Sequence, residues 1–482
     1  MSRNRLVIFF LLLACLFAQG AESERTFRSN TGQEIRATFL GLADETVTLL
    51  RADGKSFDVP MDKLSEEDQN YVREMDQRFI IEAKALNEAA GREIVTGEEF
   101  TKIKALSLAK ALGLPAESNS VHGRSWRLYA AYAKDYKLFG AMPYSVALYS
   151  DSDRNLDNIS IVYANKGDFG STAGFAEEHF NNGDEPVPEA SLQEAMDQDE
   201  KTITDALSSV LGEPVVQKYG EGDARRSVSR WDWNGYAFLL SKEDLEYVSL
   251  FIVSKEMADN GGKSTKISDA ELKQSLLEGM EREENGDVLI YEIPMVDQGP
   301  KGYCVPATIE RALRTMGMSA DMYLLAMIGE SKSNGGTSTE LLLENLKSDV
   351  SRKGRRTKIE EHDSVKIRDI KHYIDQGIPI LWQLCSTDKY NDIANLNTVN
   401  RTIVDDPVKK EATQAKLDKK ISDISELPKP DDDYHLCMII GYNELTREIA
   451  VSDSWGREYE RRWVPVEVAD WASLGQFFMI LP

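Results

Sequence analysis

The sequence predicts an α+β protein made of a small β unit, a middle α+β domain and a C-terminal α+β domain. Three observations lead there. The chain has 482 residues, against ~150 for an ordinary domain. Hydrophobic residues make up 41% and charged residues 29%, a balance that suits a folded chain rather than a disordered one. Segments with helical spacing of apolar residues and segments that alternate as strands follow one another from about residue 25 onward. The 81 Asp and Glu outnumber 57 Lys and Arg, leaving a net charge of −24. That excess repels phosphate backbones and anionic headgroups, which argues against nucleic-acid and membrane-surface partners. Four cysteines and no Cys-x-x-Cys exclude a disulfide framework and the usual zinc ribbons.

Residues 1–21 read as an export signal. Arg3 and Arg5 precede the apolar run Leu6–Phe17, and Ala18-Gln19-Gly20 supplies the small residues of a cleavage site. The run is shorter than the ~20 residues that span a bilayer, and polar Glu22-Ser23-Glu24 follows it. The expectation is an exported protein, periplasmic or secreted, with no stable membrane insertion after cleavage near Gly20. Two alternatives are an uncleaved anchor and a lipid on Cys15, since Leu12-Leu13-Ala14-Cys15 loosely resembles a bacterial lipobox. The mature chain keeps Cys304, Cys385 and Cys437. An odd number leaves at least one thiol free or paired between chains.

Residues 22–75 form the β unit. Ile35, Thr38 and Leu40 lie in one strand-like run and Glu45–Leu50 in another; Asp53-Gly54 marks a turn, after which Phe57, Val59 and Met61 alternate. A helix then starts at Ser65, with Asp68 reaching back. The strings Phe27-Arg28-Ser29-Asn30-Thr31-Gly32, Val47-Thr48-Leu49-Leu50-Arg51, Val59-Pro60 and Lys63-Leu64-Ser65-Glu66-Glu67-Asp68-Gln69 resemble a known module. It is the small SH3-like homology domain first described in a yeast endocytic actin-assembly adaptor. The resemblance implies an SH3-like β-barrel. The yeast module binds Asn-Pro-Phe peptides, a ligand that an exported protein does not inherit. Two readings stay open, a peptide ligand of another kind and a barrel that only positions its neighbours.

Residues 76–266 predict an α+β domain of no assignable role. Gln77–Ala90 and Thr96–Leu112 have helical spacing, the second with a Thr96…Glu99 capping box, and a helix capped at Ser191 runs to about Leu211. Strands are expected at Tyr144–Tyr149, Ile159–Tyr163, Ser227–Trp233, Tyr236–Leu240 and Tyr247–Val253. His122, His179, Trp231 and Trp233 carry no catalytic spacing and read as core or surface residues. Asn260-Gly261-Gly262-Lys263-Ser264 is a connector, and Ser268…Glu271 caps the next helix.

The chemistry lies in residues 267–482. Gly299, Pro300 and Gly302 force a sharp turn, and Ile309, Leu313 and Met316 then recur at helical spacing with Pro306 in the first turn. Cys304 is therefore expected at a helix N-terminus, where the dipole and free N–H groups favour a thiolate. His435 opens the apolar strand Tyr434–Tyr442, and Glu448–Ser452 ends in Asp453-Ser454-Trp455-Gly456. A hairpin around Asn443-Glu444 would set His435 beside Asp453. A thiol needs an imidazole to take its proton, and the imidazole needs an acceptor on its far nitrogen. Gln298, six residues before Cys304, is a candidate donor to an oxyanion, with the Cys304 N–H.

These residues resemble the papain-like cysteine peptidases, and among them the group akin to bacterial double-glycine leader peptidases. Gln298 stands six before the cysteine as in that superfamily. Cys304-Val305-Pro306-Ala307-Thr308 looks like the bacterial Cys-x-Pro-Ala start. Asp453-Ser454-Trp455-Gly456 is similar to the Asn-Ser-Trp-Gly of papain, with Asp for Asn as in the bacterial branch. The resemblance covers about residues 290–482. It implies Cys304 as nucleophile, His435 as general base and acid, Asp453 as orienter, Gln298 as oxyanion donor and Trp455 as a shield over the His–Asp bond. No cofactor and no metal are implied; a zinc site from Cys304, His435 and Cys437 lacks ligand spacing.

Two features depart from papain. Its Cys-Trp-Ala start and nearby disulfide are missing. A polar insertion of about fifty residues separates the strand Ile378–Cys385 from His435, with a charged helix at Lys409–Ile421 and an acidic stretch at Pro428–Asp433. The insertion reads as a solvated excursion or as a lid over the cleft. Cys385 and Cys437 are weighed as a disulfide. The expected function is an exported cysteine peptidase acting on a protein or peptide substrate. The alternatives are transglutaminase-like acyl transfer on the same triad and a non-catalytic peptide-binding adaptor.

Overall fold

The computed structural model describes residues 24–53, 55–120, 123–129, 135–169, 189–263, 267–291, 293–299, 302–332 and 336–482. Readings that fall on the leader, Cys15, Gly54, His122 and His179 lie outside them. The chain divides into two compact units. One comprises the chain to Ala116 with His122–Glu221 and Arg225–Lys263; the other comprises Glu117–Val121, Gly222–Ala224 and Ser264–Pro482. No helix among the described residues is long and apolar enough to cross a membrane.

In the first unit, the strands Arg25–Arg28, Glu34–Ala43, Thr46–Leu50 and Ser56–Pro60 form an antiparallel meander in that order. It corrects the expected barrel, because among the described residues the sheet stays open. Its apolar face is covered by a helix instead. Ser65 caps that helix, Glu66–Ala90, which runs 25 residues without interruption, so the two helical stretches read from the sequence are one. Phe39 stacks on Phe79 at 5.6 Å, and Phe27 meets Tyr71 edge-on. With Val47, Leu49, Val72 and Leu86 these rings belong to one core that continues into the middle sheet.

The middle sheet places Gly123–Tyr129, Ser145–Ser150, Leu156–Asn165, Tyr247–Ser254, Tyr236–Glu243, Arg226–Trp233 and Val215–Tyr219 side by side in that order. The first and last of these were not read from the sequence. Helix Glu189–Leu211 packs on this sheet and starts before Ser191. Thr96–Leu112 is mostly not a helix; only Ala105–Ala111 is helical, after a 3-10 turn at Phe100–Lys102. Trp231 and Trp233 are buried in the core.

In the second unit, a sheet runs Met280–Arg282, Asp287–Ile290, Tyr434–Asn443, Ile380–Cys385, Ser473–Leu481, Arg356–Glu361, and Tyr434–Asn443 also pairs with Glu448–Ser452, which pairs with Arg462–Pro465. Helix Asp269–Glu278 opens on the expected Ser268–Glu271 capping box. Helix Cys304–Thr315 packs on the histidine-bearing strand through Val305, Ile309, Ala312 and Leu313.

The insertion is two helices, Asp388–Thr402 and Pro407–Ser425. The first buries Tyr390, Ile393, Ala394, Asn397 and Asn400 and packs on the strand Arg462–Pro465. It is part of the core, neither a solvated excursion nor a lid. The second is largely exposed, buries Leu417 and Ile424 and lays Ile421 partly against the core.

Candidate active site

The cysteine helix begins at Cys304 itself, with Tyr303 at the cap position and no side chain capping it. Pro306 falls in the first turn, where its missing N–H costs nothing. Two contacts fix this helix. The Thr308 hydroxyl donates to the Leu436 carbonyl at 3.1 Å, one residue from His435. Arg311, fully buried, donates to the Pro294 carbonyl and to the backbone and hydroxyl oxygens of Ser452. One side chain thus ties the cysteine helix to the segments that lead to Gln298 and to Asp453. Burial lowers the Arg311 guanidinium to about 10, partly opposed by the charge of Asp453.

The hairpin forms with Met438 opposite Ser452 and Asn443 opposite Glu448, and a bulge near Gly441. The turn is held by the Asn443 side chain, which accepts from the N–H groups of Leu445 and Thr446. Past the end of the ladder, His435 Nε2 lies 3.0 Å from Asp453 Oδ1. The imidazole and the Cys304 thiol also act on each other, each shifting the other's proton. His435 and Asp453 are buried and Cys304 is half-buried.

The protons of the three groups are shifted together. Burial alone would raise the Cys304 thiol. The hydrogen bond and charge of His435, with backbone bonds from Leu436 and Val305, outweigh it and hold the thiol below its ordinary value. Burial would lower His435, but Asp453 and Cys304 hold its proton and raise it to about 9. Burial would raise Asp453, and Arg462 and His435 keep it below the carboxylate range.

Around this line the Asp-Ser-Trp-Gly turn is bonded at several points. The Asp453 N–H donates to the Tyr459 carbonyl and the Gln298 N–H to the Ser454 carbonyl. The Ser454 hydroxyl donates to the Gln298 side-chain oxygen at 2.8 Å, so the amide is oriented by its oxygen. Gly456 has φ +94°, and a Cβ there would meet Asp297 Oδ2 at 3.0 Å; only glycine fits without strain. The Trp455 ring stacks on His435 at 4.4 Å and 26°, over the imidazole whose Nε2 meets Asp453.

Other residues read from the sequence fall elsewhere. Cys385, Cys437 and Cys304 are all free thiols. Cys437 pairs across the sheet with Trp382 and shares a face with His435, whereas Cys385 pairs with Tyr434 and points to the opposite face. That geometry rules out the disulfide. Among the described residues no group of three or more His, Cys, Asp or Glu is placed to hold a metal ion.

One polar residue in contact with this line was not read from the sequence. Arg462, buried, bonds Asp453 Oδ2 with Nε at 2.9 Å. Its one local sign is Arg461-Arg462 at a strand start, since neighbouring strand residues face opposite ways and one arginine must point inward.

Two regions of the chain match known families. Residues 20–79 match the family SLA1 homology domain 1, SHD1, and residues 290–477 match the Peptidase_C39 like family. The chain carries an SHD1 domain at its N-terminus and a Peptidase_C39-like domain at its C-terminus. Among solved structures, a match is the peptidase domain of Streptococcus ComA, a bi-functional ABC transporter involved in a quorum sensing pathway. It is 12% identical, over 39% of this chain and 97% of that one, with a TM-score of 0.25. No curated protein matches the chain. The C-terminal family match suggests a cysteine peptidase.

Proposed function

We propose that the chain is an exported cysteine peptidase that hydrolyses protein or peptide substrates through Cys304. The observation that carries this reading is one imidazole held between a half-buried thiol and a buried carboxylate. In the proposed step His435 Nδ1 takes the Cys304 proton, and the sulfur attacks the scissile carbonyl carbon. The tetrahedral oxygen is held by the Cys304 N–H and the Gln298 NH2. His435 then gives its proton to the leaving amine, and the C–N bond breaks to leave a thioester. Water, deprotonated by His435, releases the acid and restores the thiol. Asp453 keeps Nε2 protonated throughout. Export rests on the leader residues 1–21, and the SHD1 domain is proposed to bind a peptide or to position its neighbours.

The test is incubation of the full chain, cleaved near Gly20, with an unfolded protein, with and without a primary amine. New N-termini that vanish in Cys304→Ala are the expected result. Amine incorporation without new acid ends would replace hydrolysis by acyl transfer. Equal products from the native chain and Cys304→Ala would overturn both.

A further inference from the structure

We propose that Arg462 is a positioning residue for the Asp453–His435 pair, and that the inserted helix Asp388–Thr402 holds it there. The inference rests on the reading of Cys304 and His435 as the reacting pair. The two oxygens of Asp453 are divided between its partners. Oδ1 faces His435 Nε2 at 3.0 Å, and Oδ2 accepts from Arg462 Nε at 2.9 Å, with Nη2 in ion-pair contact at 2.7 Å. A carboxylate bonded on one oxygen only is free to rotate about its C–C bond and swing away from the imidazole. Engaged on both, it is pinned.

The guanidinium is itself pinned from the other side. Its Nη1 donates to Asn391 Oδ1 at 2.8 Å, on the first turn of the inserted helix. The strand Arg462–Pro465 has one sheet neighbour, Glu448–Ser452. The backbone of the next residue, Trp463, is bonded from the same helix instead, its N–H by the Thr398 hydroxyl at 2.8 Å and its C=O by the Asn397 amide at 3.0 Å. The helix thus caps this strand edge with side chains. Trp455, Tyr459 and Tyr390 lie 5.2–5.7 Å from the guanidinium carbon, which excludes water from the pair. The other titratable groups acting on Asp453 are Cys437, Tyr390 and Arg311. The region of the chain that seemed a loose excursion is therefore the clamp behind the triad.

Removing the Arg462 cation leaves Asp453 uncompensated on one side, and an uncompensated negative charge disfavours a thiolate nearby. The experiment measures iodoacetamide alkylation against pH on the full chain, read at Cys304 by peptide mass. Buried Cys385 and Cys437 are thereby kept separate. In Arg462→Gln the alkylation midpoint is expected to rise by about one pH unit. Arg462→Lys keeps the charge but cannot reach Asp453 and Asn391 at once, so its midpoint stays while peptide hydrolysis falls several-fold. Asn391→Ala follows Arg462→Lys with a smaller loss. A native midpoint in folded Arg462→Gln overturns the proposal. Should that variant not fold, native hydrolysis in both Arg462→Lys and Asn391→Ala overturns it. If the native chain itself shows an ordinary thiol midpoint, the proposed cysteine chemistry falls rather than the role of Arg462 alone.

Discussion

Two buried aspartates, one in each unit, have opposite fates. Asp199, on the helix over the middle sheet, accepts from the Ala164 N–H at 3.0 Å and, among the described residues, has no cationic partner. Burial raises its carboxyl to about 6. Asp453 is at least as buried, yet Arg462 and His435 hold it below the carboxylate range. Burial by itself therefore drives a carboxyl toward neutrality, and two cationic neighbours reverse the outcome. The candidate site is distinguished here by the company its carboxylate keeps and not by its depth.

The sharpest way to break this contrast is to remove the charge of Asp453 alone. Asp453→Asn keeps the shape and an acceptor oxygen for Nε2 but removes the charge held between Arg462 and His435, and peptide hydrolysis should fall by about tenfold; unchanged hydrolysis would show that the charge adds nothing beyond the acceptor. The same substitution in the other unit, Asp199→Asn, should leave hydrolysis unchanged. Its effect belongs to stability. Asp199 binds its proton more tightly folded than unfolded, so its contribution is complete below about pH 4 and is lost as pH rises through about 6. Asp199→Asn should remove that decline, on the order of 3 kcal/mol, in melts recorded from pH 4 to 7.

A pH profile separates the two regions without mutation. His435 is raised to about 9, so the imidazolium that protonates the leaving group persists to that pH and is lost above it. Hydrolysis should decline on the alkaline side near pH 9 and on the acid side below the ordinary thiol range, where Cys304 takes up its proton. The folded state also holds the His435 proton more tightly than the unfolded one. That contribution to stability is whole below about pH 6.5 and fades as pH passes 9.

The smallest expected effect lies outside the contrast, at Glu117. Its carboxylate accepts the Asp297 N–H at 2.9 Å, and the Ser118 hydroxyl accepts the Met295 N–H at 2.9 Å. Glu117→Ala leaves the first donor without that acceptor, at a cost of about 1–2 kcal/mol, and should lower hydrolysis modestly through the adjoining Gln298. Unchanged activity and unchanged melting would show that this segment does not support Gln298.

Parts of this arrangement were legible in the sequence because local chemistry dictates them. Pro306 and the spacing of Ile309 and Leu313 set the cysteine helix, and the apolar run after His435 together with Asn443 sets the hairpin. Thr96–Leu112 misled for a physical reason. The N–H groups of Ile94 and Val95 are taken by Asn87, that of Thr96 by the Tyr236 hydroxyl, and Phe100 is drawn into the core. Long-range partners there outbid helical spacing. Arg462 was invisible because its role depends on Asn391, seventy-one positions earlier in the chain, and no periodicity reports such a contact. The barrel failed because the sheet's open side is filled by Phe79 and its neighbours, whose role only tertiary packing reveals.

The stretch Glu117–Val121 lies in the compact unit that also holds Cys304, His435 and Asp453. That unit is not contiguous along the polypeptide. A fragment cut at residue 264 would lift out the region that bears Cys304, His435 and Asp453 while abandoning the acceptors for the Met295 and Asp297 amides. Such a fragment would carry, just before Gln298, a segment whose two amides have lost these acceptors.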